Sequence, residues 1–394
     1  MIRYLTAGES HGQALVGIIE GMPAGVEISA EYINHQLWRR QQGYGRGGRM
    51  RIESDKVEIL SGVRFGKTLG TPIALVVRNK DWANWTEKMS VEGSGKGIEK
   101  ITTPRPGHAD LVGALKYGFD DMRNVIDRAS ARETAMRVAS CTITRKFLET
   151  FGIFIGSHVL SIGSAVEKDR AAIEKLIKKF SAASCGAYKI TEEADKSSVR
   201  ILDSSVETKA MNLIKAAKKK GDTLGGIFEV IVTGIPIGLG SYVEFDRKLD
   251  GQLAQAIVSI HAVKGVEIGP AFENARLFGS EVHDEILLDK NGSLVRPTNR
   301  AGGLEGGVTN GEMLLLRGAM KPISTLAKPL RSVELNGKKV IQSRYERSDV
   351  CAVPACSVIA EAVVAPVLAN AFLEKFGGDS VSEIAKRYKK AKNA

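Results

Sequence analysis

A stretch of fifteen residues carries a dense positive charge with no acidic side chain. It runs from Leu37 to Arg51 and contains five arginines and four glycines. Arginine is permanently charged and offers planar donors to carboxylates and phosphates, and glycine lets the backbone approach a ligand closely. This composition favours a site for a small molecule that carries several negative charges.

Two histidines occur in segments suited to chemistry. Ser10 and His11 lie between two glycines in AGESHGQ, so His11 can reach a ligand and titrate near neutral pH. Arg105 and His108 are held by Pro104, Pro106 and Gly107 in TTPRPGHAD, and proline restricts the loop to few conformations. A preformed acid beside a cation suits the expulsion of phosphate. The alternative for His11 is an exposed turn residue without a function.

A third group of polar residues lies in RNVIDRASARETAMR, where Arg128 and Arg132 are four residues apart with Ser130 between them. This spacing places both arginines on one face of a helix, beside side chains small enough for a ligand to come close. The alternative is a solvated basic turn of that helix.

Further candidates lie near the C-terminus. The glycine-rich segment GGLEGGVTNG could expose backbone N–H groups to phosphate, although it matches neither a P-loop nor a Rossmann fingerprint. Arg347 and Asp349 precede the most hydrophobic helix of the chain. They could serve catalysis, or form a buried ion pair or a helix cap.

The whole chain has 394 residues, 43% of them hydrophobic, and a formal net charge of +11. The positive charge favours anionic partners without saying which kind. Four cysteines without CxxC spacing predict reduced thiols and no metal site. The N-terminus has no signal-peptide pattern and we expect no membrane span, so the sequence predicts a cytoplasmic protein.

Short β-like runs precede the helical patterns, which predicts an α+β fold with antiparallel sheet in a single domain over residues 1–394. The predicted strands are Val57 to Ser61, Pro72 to Arg78, Ile227 to Val232 and Met313 to Arg317.

Two predicted helices, Ser130 to Phe151 and Val358 to Phe376, are apolar enough to be enclosed between sheets, and Pro366 predicts a kink in the second. Lysine-rich helices over Ala165 to Phe180 and Val206 to Lys220 predict a peripheral excursion around residues 165–220. The second helix has a possible capping box of Ser204 and Glu207. The tail over residues 380–394 has a weak helical pattern and is expected to fray.

Six ordered segments together resemble the chorismate synthase family. They are AGESHG, RRQQGYGRGGRMRIE, RPGHAD, RASARET, the run from GGLEGGVTNGE to MKPIST, and RSDVCAVPA. The resemblance extends from Met1 to about Phe376. It implies the last step of the shikimate pathway, an anti-1,4-elimination of phosphate and a C6 hydrogen from 5-enolpyruvylshikimate 3-phosphate to give chorismate. It also implies a requirement for reduced FMN although the reaction has no net redox change.

The family motifs assign roles to residues of this chain. His108 would protonate the leaving phosphate, His11 would lie near the flavin, and Ser10, Ser130 and Asp349 would relay a proton to or from it. The substrate's anionic groups would be bound by arginines, namely Arg40, Arg46, Arg49, Arg105, Arg132 and Arg347. Fixed cations of this kind orient a substrate and stabilise charge on a departing phosphate.

The resemblance also implies a set of flavin contacts. These are His261, Ala262, Gly306 in the glycine-rich loop, Lys321 and Thr325, together with Arg46, Ser130 and Arg347. His261 occupies a position that resembles a flavin-contacting asparagine in relatives. An imidazole can still donate one hydrogen bond, but it can also take up a proton.

The family implies a β-α-β sandwich in which two antiparallel sheets enclose core helices, and a homotetramer. The sequence contains no appended NAD(P)H-binding segment. The chain therefore resembles the monofunctional bacterial type, which depends on an external flavin reductase or another source of reduced FMN.

Two other classes of protein are alternatives to this enzyme family. YGRGGRMR could bind RNA through its arginines, but aromatic residues are only 6% of the chain and Tyr44 is the only stacking residue in the motif. A flavin-binding redox or storage protein would explain the flavin contacts but not the two histidines or the six arginines. We therefore expect no nucleic-acid partner.

Overall fold

The computed structural model describes residues 1–47, 54–166, 170–181, 185–346 and 348–392. The strands in chain order are β1 (Arg3–Ala7), β2 (Ala14–Glu20), β3 (Val57–Ile59), β4 (Val63–Arg64), β5 (Lys67–Thr68), β6 (Ile73–Arg78), β7 (Phe154–Ile162), β8 (Ala165–Val166), β9 (Gly226–Thr233), β10 (Val263–Ile268), β11 (Leu287–Leu288), β12 (Leu294–Val295), β13 (Leu304–Glu305), β14 (Val308–Thr309), β15 (Leu314–Met320), β16 (Arg331–Glu334) and β17 (Lys339–Gln342).

The helices in chain order are α1 (Ala30–Gln41), α2 (Asp110–Tyr117), α3 (Arg123–Ile126), α4 (Glu133–Thr150), α5 (Arg170–Ser181), α6 (Gly186–Lys196), α7 (Ser204–Lys220), α8 (Leu249–Val258), α9 (Ala271–Asn274), α10 (Gly279–Val282), α11 (Val353–Phe376) and α12 (Val381–Lys392). Short 3-10 helices cover Lys80–Asn84 and Phe245–Arg247.

The first sheet has four antiparallel strands in the order β1-β2-β6-β3. Alternating residues of each strand turn their side chains to opposite faces, so Leu15 and Ile19 of β2 are buried together with Leu75 of β6. Leu5 and Ile18, which are paired in register, are exposed on the other face. The sheet thus presents one apolar face to the core.

The second sheet has five antiparallel strands in the order β10-β15-β9-β7-β8. Phe228, Val230 and Val232 of β9 contribute its inner face to the main hydrophobic core. α6 packs on β7, where a Cβ at Gly156 would overlap the carbonyl oxygen of Ala187. Glycine at this position therefore permits the close approach of helix and strand.

A row of charges crosses the second sheet in register. His158 pairs with Glu229, Glu229 with Arg317, and Arg317 with Glu267. Burial alone would raise the pKa of Glu229, but the hydrogen bond from His158 and the charge of Arg317 lower it to about 2. The buried carboxylate is therefore ionised because its neighbours on both strands stabilise the charge.

Helices fill the space between the two sheets. α4 packs against the first sheet, α11 packs against the second, and the two helices pack on each other with α1 and α8 beside them. Aromatic side chains close one end of this layer, where Phe147, Phe151 and Phe372 contact each other. The predicted α+β sandwich with core helices between antiparallel sheets is confirmed.

The helical layer also contains a buried ion cluster. The Glu361 carboxylate on α11 accepts hydrogen bonds from Arg39 at 2.7 and 2.9 Å, from Arg145 at 2.6 Å and from Arg200 at 3.1 Å. Although burial would raise the pKa of Glu361, the charges of Arg39, Arg145 and Arg200 lower it. One carboxylate thus offsets part of the charge of three buried guanidinium groups.

α11 is 24 residues long with a mean hydropathy of 1.9 in its most apolar window, which by length and composition would suffice to cross a membrane. No membrane span is expected from the sequence. In the fold, 83% of that window is buried and Glu361 lies within the helix, as in the core helix of a globular domain.

The four predicted strands all occur, as β3, β6, β9 and β15, and the two predicted core helices occur as α4 and α11. The helix predicted over Ala165 to Phe180 is wrong at its start, because Ala165 and Val166 form strand β8 and α5 begins at Arg170. The predicted capping box of α7 is also wrong: Asp203 is the N-cap, and Glu207 accepts a bond from the Ser198 N–H.

The C-terminal segment is more ordered than predicted. α12 covers Val381–Lys392, and its Ile384 and Tyr388 are buried in the main core, so residues 381–392 form a packed helix where a frayed tail was expected. At the other end of the chain, the backbone of Ile2 donates to Asn370 at 2.6 Å and accepts from it at 2.8 Å. The first strand is therefore attached directly to the last core helix.

Candidate active site

The predicted site residues come from loops and helix ends spread over the whole chain. Hydrogen bonds join the loop of Ser10 to the segment before α4, the loop of Arg105 to Thr325, and Gly107 to Lys321. Arg46 reaches Asp349 immediately before α11. These contacts bring most of the predicted residues into one region.

His11 is held by a buried carboxylate. Its Nδ1 lies 2.5 Å from Oδ1 of Asp127, whose side chain is fully buried. Trp85 stacks on the imidazole with 3.8 Å between ring centroids. The guanidinium of Arg123 lies over the Trp85 ring, 5.0 Å from its centroid. Arg123 also approaches Asp127 at 3.6 Å. The carboxylate orients Nδ1, and the stacked indole fixes the plane of the ring.

His108 has the same kind of partner. Its Nδ1 lies 2.5 Å from Oδ1 of Asp110, which also accepts from Nε and Nη2 of Arg105 at 2.8 and 3.0 Å. Burial would raise the pKa of Asp110, but the hydrogen bonds from His108 and Arg105 lower it well below its usual range. Nη1 of Arg105 donates to the Thr325 hydroxyl at 3.1 Å. His108 is therefore oriented by a permanently ionised carboxylate.

Arg40 and Arg132 lie buried around Asp55. Arg132 donates to Asp55 at 2.6 Å, and Arg40 donates to Thr134 and to the Ala131 carbonyl. Burial lowers the pKa of Arg40 to about 10. The charge of Asp55 raises this pKa, and the nearby cations of Arg46 and Arg132 lower it further. Its Nη1 has no hydrogen-bond partner among the described residues and lies 3.9 Å from Asp55. A buried guanidinium with an unused donor fits an anionic ligand.

Arg46 is paired with Asp349. Its Nη1 lies 2.7 Å from Oδ2 of Asp349, while Oδ1 accepts from the Gly47 N–H at 2.6 Å. The partner of Asp349 is thus Arg46, which was not named in the ion pair or helix cap considered for Arg347 and Asp349 as an alternative to a catalytic role. Arg49 and Arg347 lie outside the described residues.

Ser10 and Ser130 form a direct contact. The Ser130 hydroxyl donates to Ser10 Oγ at 3.2 Å, and the Ser10 backbone donates to the Asp127 carbonyl at 2.9 Å. The two predicted relay serines are therefore neighbours: Ser10 precedes His11, and Ser130 lies on the segment of Asp127, the carboxylate that holds His11.

His261 and Ala262 lie between α8 and β10. Burial lowers the pKa of His261. The charge of Glu133 opposes this effect, and the charge of Arg137 adds to it. Its buried Nδ1 has no hydrogen-bond partner within the described part of the chain. Ala262 has a φ of 66°, a conformation that costs energy for a residue with a Cβ.

Lys321 and Gly306 have different surroundings. The Lys321 ammonium donates to the Gly107 carbonyl at 2.8 Å, one residue from His108. Gly306 lies in the turn between β13 and β14, where a Cβ added at this position would lie 3.8 Å from the Cβ of Tyr242. The contacts of that turn run to the segment over residues 236–249, and the structure gives no direct link from Gly306 to either histidine among the described residues.

The described arginines of the arginine-rich stretch lie partly in the site and partly in the core. Arg39 forms ion pairs with Glu361 and Asp195. Arg40 and Arg46, by contrast, face the site. Arg39 and Arg40 are both buried, which does not suit an exposed RNA-binding surface.

The site therefore combines two histidines, each held by a carboxylate, with a group of buried arginines. A family model described as Chorismate synthase matches residues 2–373. The chain belongs to the chorismate synthase family.

Curated relatives extend the match to the whole chain. The chorismate synthase of Chloroherpeton thalassium is 60% identical over 385 residues, covering 97% of each chain. That of Chlorobaculum tepidum is 58% identical over 389 residues, covering 98% of this chain and 96% of the relative. A crystal structure of a chorismate synthase superposes with a TM-score of 0.79 and 43% identity, covering 100% of this chain and 97% of that one.

Chorismate synthase catalyses the last step of the shikimate pathway, in which 5-enolpyruvylshikimate 3-phosphate loses phosphate and a C6 hydrogen to give chorismate, and the chain is an enzyme of this activity. Membership also implies a flavin cofactor. The residues fit such a group, because His261 presents a buried, unpartnered ring nitrogen beside a cationic site.

Several residues around the site were not found by sequence reasoning. Asp110 stands two positions after His108 in RPGHAD, so the motif itself offered a signal. Asp127, Trp85 and Arg123 are far from His11 in sequence, and no spacing rule connects them with it. Only the folded chain shows that they surround one imidazole.

Proposed function

We propose that the chain is a carbon–oxygen lyase in which His108 and His11 are the acid–base groups and reduced FMN is the cofactor. The observation that carries this proposal is the matched pair of histidines, each 2.5 Å from a buried aspartate and surrounded by arginines. A leaving phosphate needs both a proton donor and fixed positive charge, and this arrangement offers both.

Substrate binding is assigned to the arginines. Arg40, Arg105 and Arg132 are buried and Arg46 is nearly so. The substrate carries two carboxylates and a phosphate, and guanidinium groups in a site shielded from water bind such groups strongly. Arg49 and Arg347 are assigned to the same role by their family motifs. This set would orient the ring so that the phosphate departs near His108.

The histidines have distinct roles. The ionised Asp110 and the cation of Arg105 fix His108, so that its other nitrogen can protonate the departing phosphate. His11 would lie near the flavin and control its protonation. Ser10, Ser130 and Asp349 would complete a proton relay, in which the direct contact between the two serines is one step.

The flavin would be held by His261, Ala262, Lys321 and Thr325, with Arg46, Ser130 and Arg347 completing the set and Gly306 contributing from the glycine-rich loop. Reduced FMN supplies transient electron density for a reaction with no net redox change. Because burial lowers its pKa, His261 would be neutral at pH 7 and would donate one hydrogen bond.

The family resemblance extends the proposal to the cellular context. We assign the chain to the cytoplasm, as a homotetramer of the monofunctional type that receives reduced FMN from an external reductase or a similar source.

The test is an anaerobic assay with purified protein, photoreduced FMN and 5-enolpyruvylshikimate 3-phosphate, in which phosphate and chorismate are followed together. Equal release of both, absent with oxidised FMN, is the expected result. If FMN binds but neither product forms, the chain is a flavin-binding protein without this chemistry.

A further inference from the structure

Three carboxylates face arginines around the two histidines, but they do so in two different ways. Asp110 and Asp127 have fully buried side chains and contact their histidines at 2.5 Å. Glu346 is 22% exposed and lies 3.6 Å from Arg105 and 3.9 Å from Arg123. The first two carboxylates are fixed parts of the site, whereas the third is loosely held.

The position of Glu346 is between the two histidine units. One of its oxygens faces Arg105, which braces Asp110 and through it His108. The other faces Arg123, which stacks on Trp85 and approaches Asp127 beside His11.

Arg344 is a third cation near this carboxylate, at 3.6 Å. Each of the three separations is longer than a hydrogen bond, so Glu346 balances charge without engaging the donors of the guanidinium groups.

Such contacts are weak and replaceable. A partly exposed ion pair at this distance is weak, whereas a phosphate or carboxylate that accepts directly from guanidinium groups is held more strongly. Arg105 also bonds Thr325, which places Glu346 next to a residue assigned to the flavin. An anionic ligand that enters here would find Arg105 and Arg123 already in position, and it could easily displace the carboxylate of Glu346.

We propose that Glu346 is an internal counter-anion that occupies, in the ligand-free enzyme, the place where a ligand anion binds between Arg105 and Arg123. The ligand anion displaces it, and Arg123 and Arg344 then become ligand contacts. This inference rests on the proposed function, because the anion belongs either to the substrate or to the phosphate of FMN.

The test is the Glu346→Gln variant, which keeps the side chain's size and removes its charge. The dissociation constant of oxidised FMN is measured by fluorescence quenching, and that of the substrate by calorimetry with oxidised FMN saturating. One of the two constants is expected to fall by about threefold or more, since a competing ion pair has been removed. The constant that falls identifies the source of the anion.

Glu334→Gln is the matched control. It makes the same change of net charge on the neighbouring hairpin, where Glu334 accepts from the Asn336 and Gly337 N–H groups and Ser332 bonds the Pro104 carbonyl. We expect both dissociation constants to be unchanged in this variant. An equal tightening would show a general charge effect and overturn the proposal.

Weaker or unchanged ligand binding by Glu346→Gln would also decide against the proposal. A residue that merely braces the arginines would weaken binding when changed, so an increase or no change in both constants overturns the proposal. Arg123→Gln provides an independent check, because loss of a ligand contact must weaken the constant that Glu346→Gln tightens, and an unchanged constant overturns it as well.

The wild-type enzyme separates this inference from the proposed function. If the wild type forms chorismate and phosphate while Glu346→Gln fails to tighten either ligand, only the role of Glu346 is lost. If the wild type forms neither product, the proposed function fails first.

Discussion

Oδ1 of Asp127 and Nδ1 of His11 are 2.5 Å apart, although 116 positions separate the two residues in the chain. The same contact recurs between Asp110 and His108, which are only two positions apart. Both carboxylates are fully buried and both have an arginine as a second partner. Two parts of the fold with different local structure thus orient a histidine in the same way.

Replacing Asp127 with asparagine should impair His11 without unfolding the protein. The amide keeps the shape but removes the carboxylate charge that holds Nδ1 of His11, so we expect kcat to fall by at least about tenfold. The measurement is steady-state formation of chorismate under anaerobic conditions. Asp120→Asn, a change at an exposed carboxylate paired with Lys100, is the control and should retain full activity. Full activity of Asp127→Asn would contradict the positioning role.

Replacing His108 with alanine should remove the acid that protonates phosphate. We expect turnover to slow by about a hundredfold or more while FMN binding stays nearly intact, because a general acid acts on the chemical step. Single-turnover kinetics and an FMN titration measure the two effects separately. His283→Ala, at an exposed histidine, should have wild-type values. Unchanged turnover of His108→Ala would exclude the acid assignment.

His261 is expected to act as a neutral hydrogen-bond donor. Because burial lowers its pKa, it should be uncharged at pH 7 and above, so protonation of His261 should not change FMN affinity between pH 7 and 8. His261→Leu should weaken FMN binding by about tenfold through loss of one hydrogen bond in a buried site, whereas His261→Asn should restore most of it. Equal affinity of the leucine variant and the wild type would remove His261 from the flavin site.

Glu361→Gln should destabilise the whole fold. The change leaves Arg39, Arg145 and Arg200 buried without their common carboxylate, and removal of one partner from a buried ion cluster costs about 3–5 kcal/mol. Urea denaturation followed by circular dichroism measures the loss. Glu374→Gln, at an exposed pair with Arg247, should change the free energy of unfolding by less than about 1 kcal/mol. Equal stability of the two variants would contradict the structural role of the cluster.

Acid sensitivity should depend on Glu229. Its pKa is about 2 in the folded protein and 4.5 ordinarily, so its contribution to stability is complete above pH 4.5 and is lost as the pH falls toward 2. The wild type should therefore lose more free energy of unfolding over this interval than Glu229→Gln, by on the order of 3 kcal/mol. Denaturation curves at several pH values test this, with Glu285→Gln as an exposed control. Parallel pH profiles of Glu229→Gln and the wild type would show that Glu229 is not the responsible group.

The main elements of the fold could be predicted because their sequence patterns are strong. The apolar runs of β9 and β15 and the long apolar pattern of α11 each follow from local residue types. The order of strands within each sheet follows no local pattern, since it depends on which apolar faces meet. Residues 165 and 166 were assigned to a helix because the lysine-rich pattern that follows them is helical, but pairing with β7 prevailed.

The site was predictable only in part. Arg39 and Arg40 are adjacent and chemically identical, yet one binds Glu361 in the core and the other faces Asp55 in the site. Consecutive residues of a helix point about 100° apart, so their destinations depend on which elements surround α1. Asp127 and Trp85 could not be assigned for the same reason, because tertiary packing alone brings them to His11.

The paired hydrogen bonds between Ile2 and Asn370 have a consequence for how the chain folds. During synthesis the first strand leaves the ribosome long before α11, so its final partner is absent for nearly the whole of translation. The middle layer cannot close until α11 has been made, and contacts of such wide separation form slowly. A chain truncated before Asn370 should therefore leave the backbone of Ile2 without its two partners on α11.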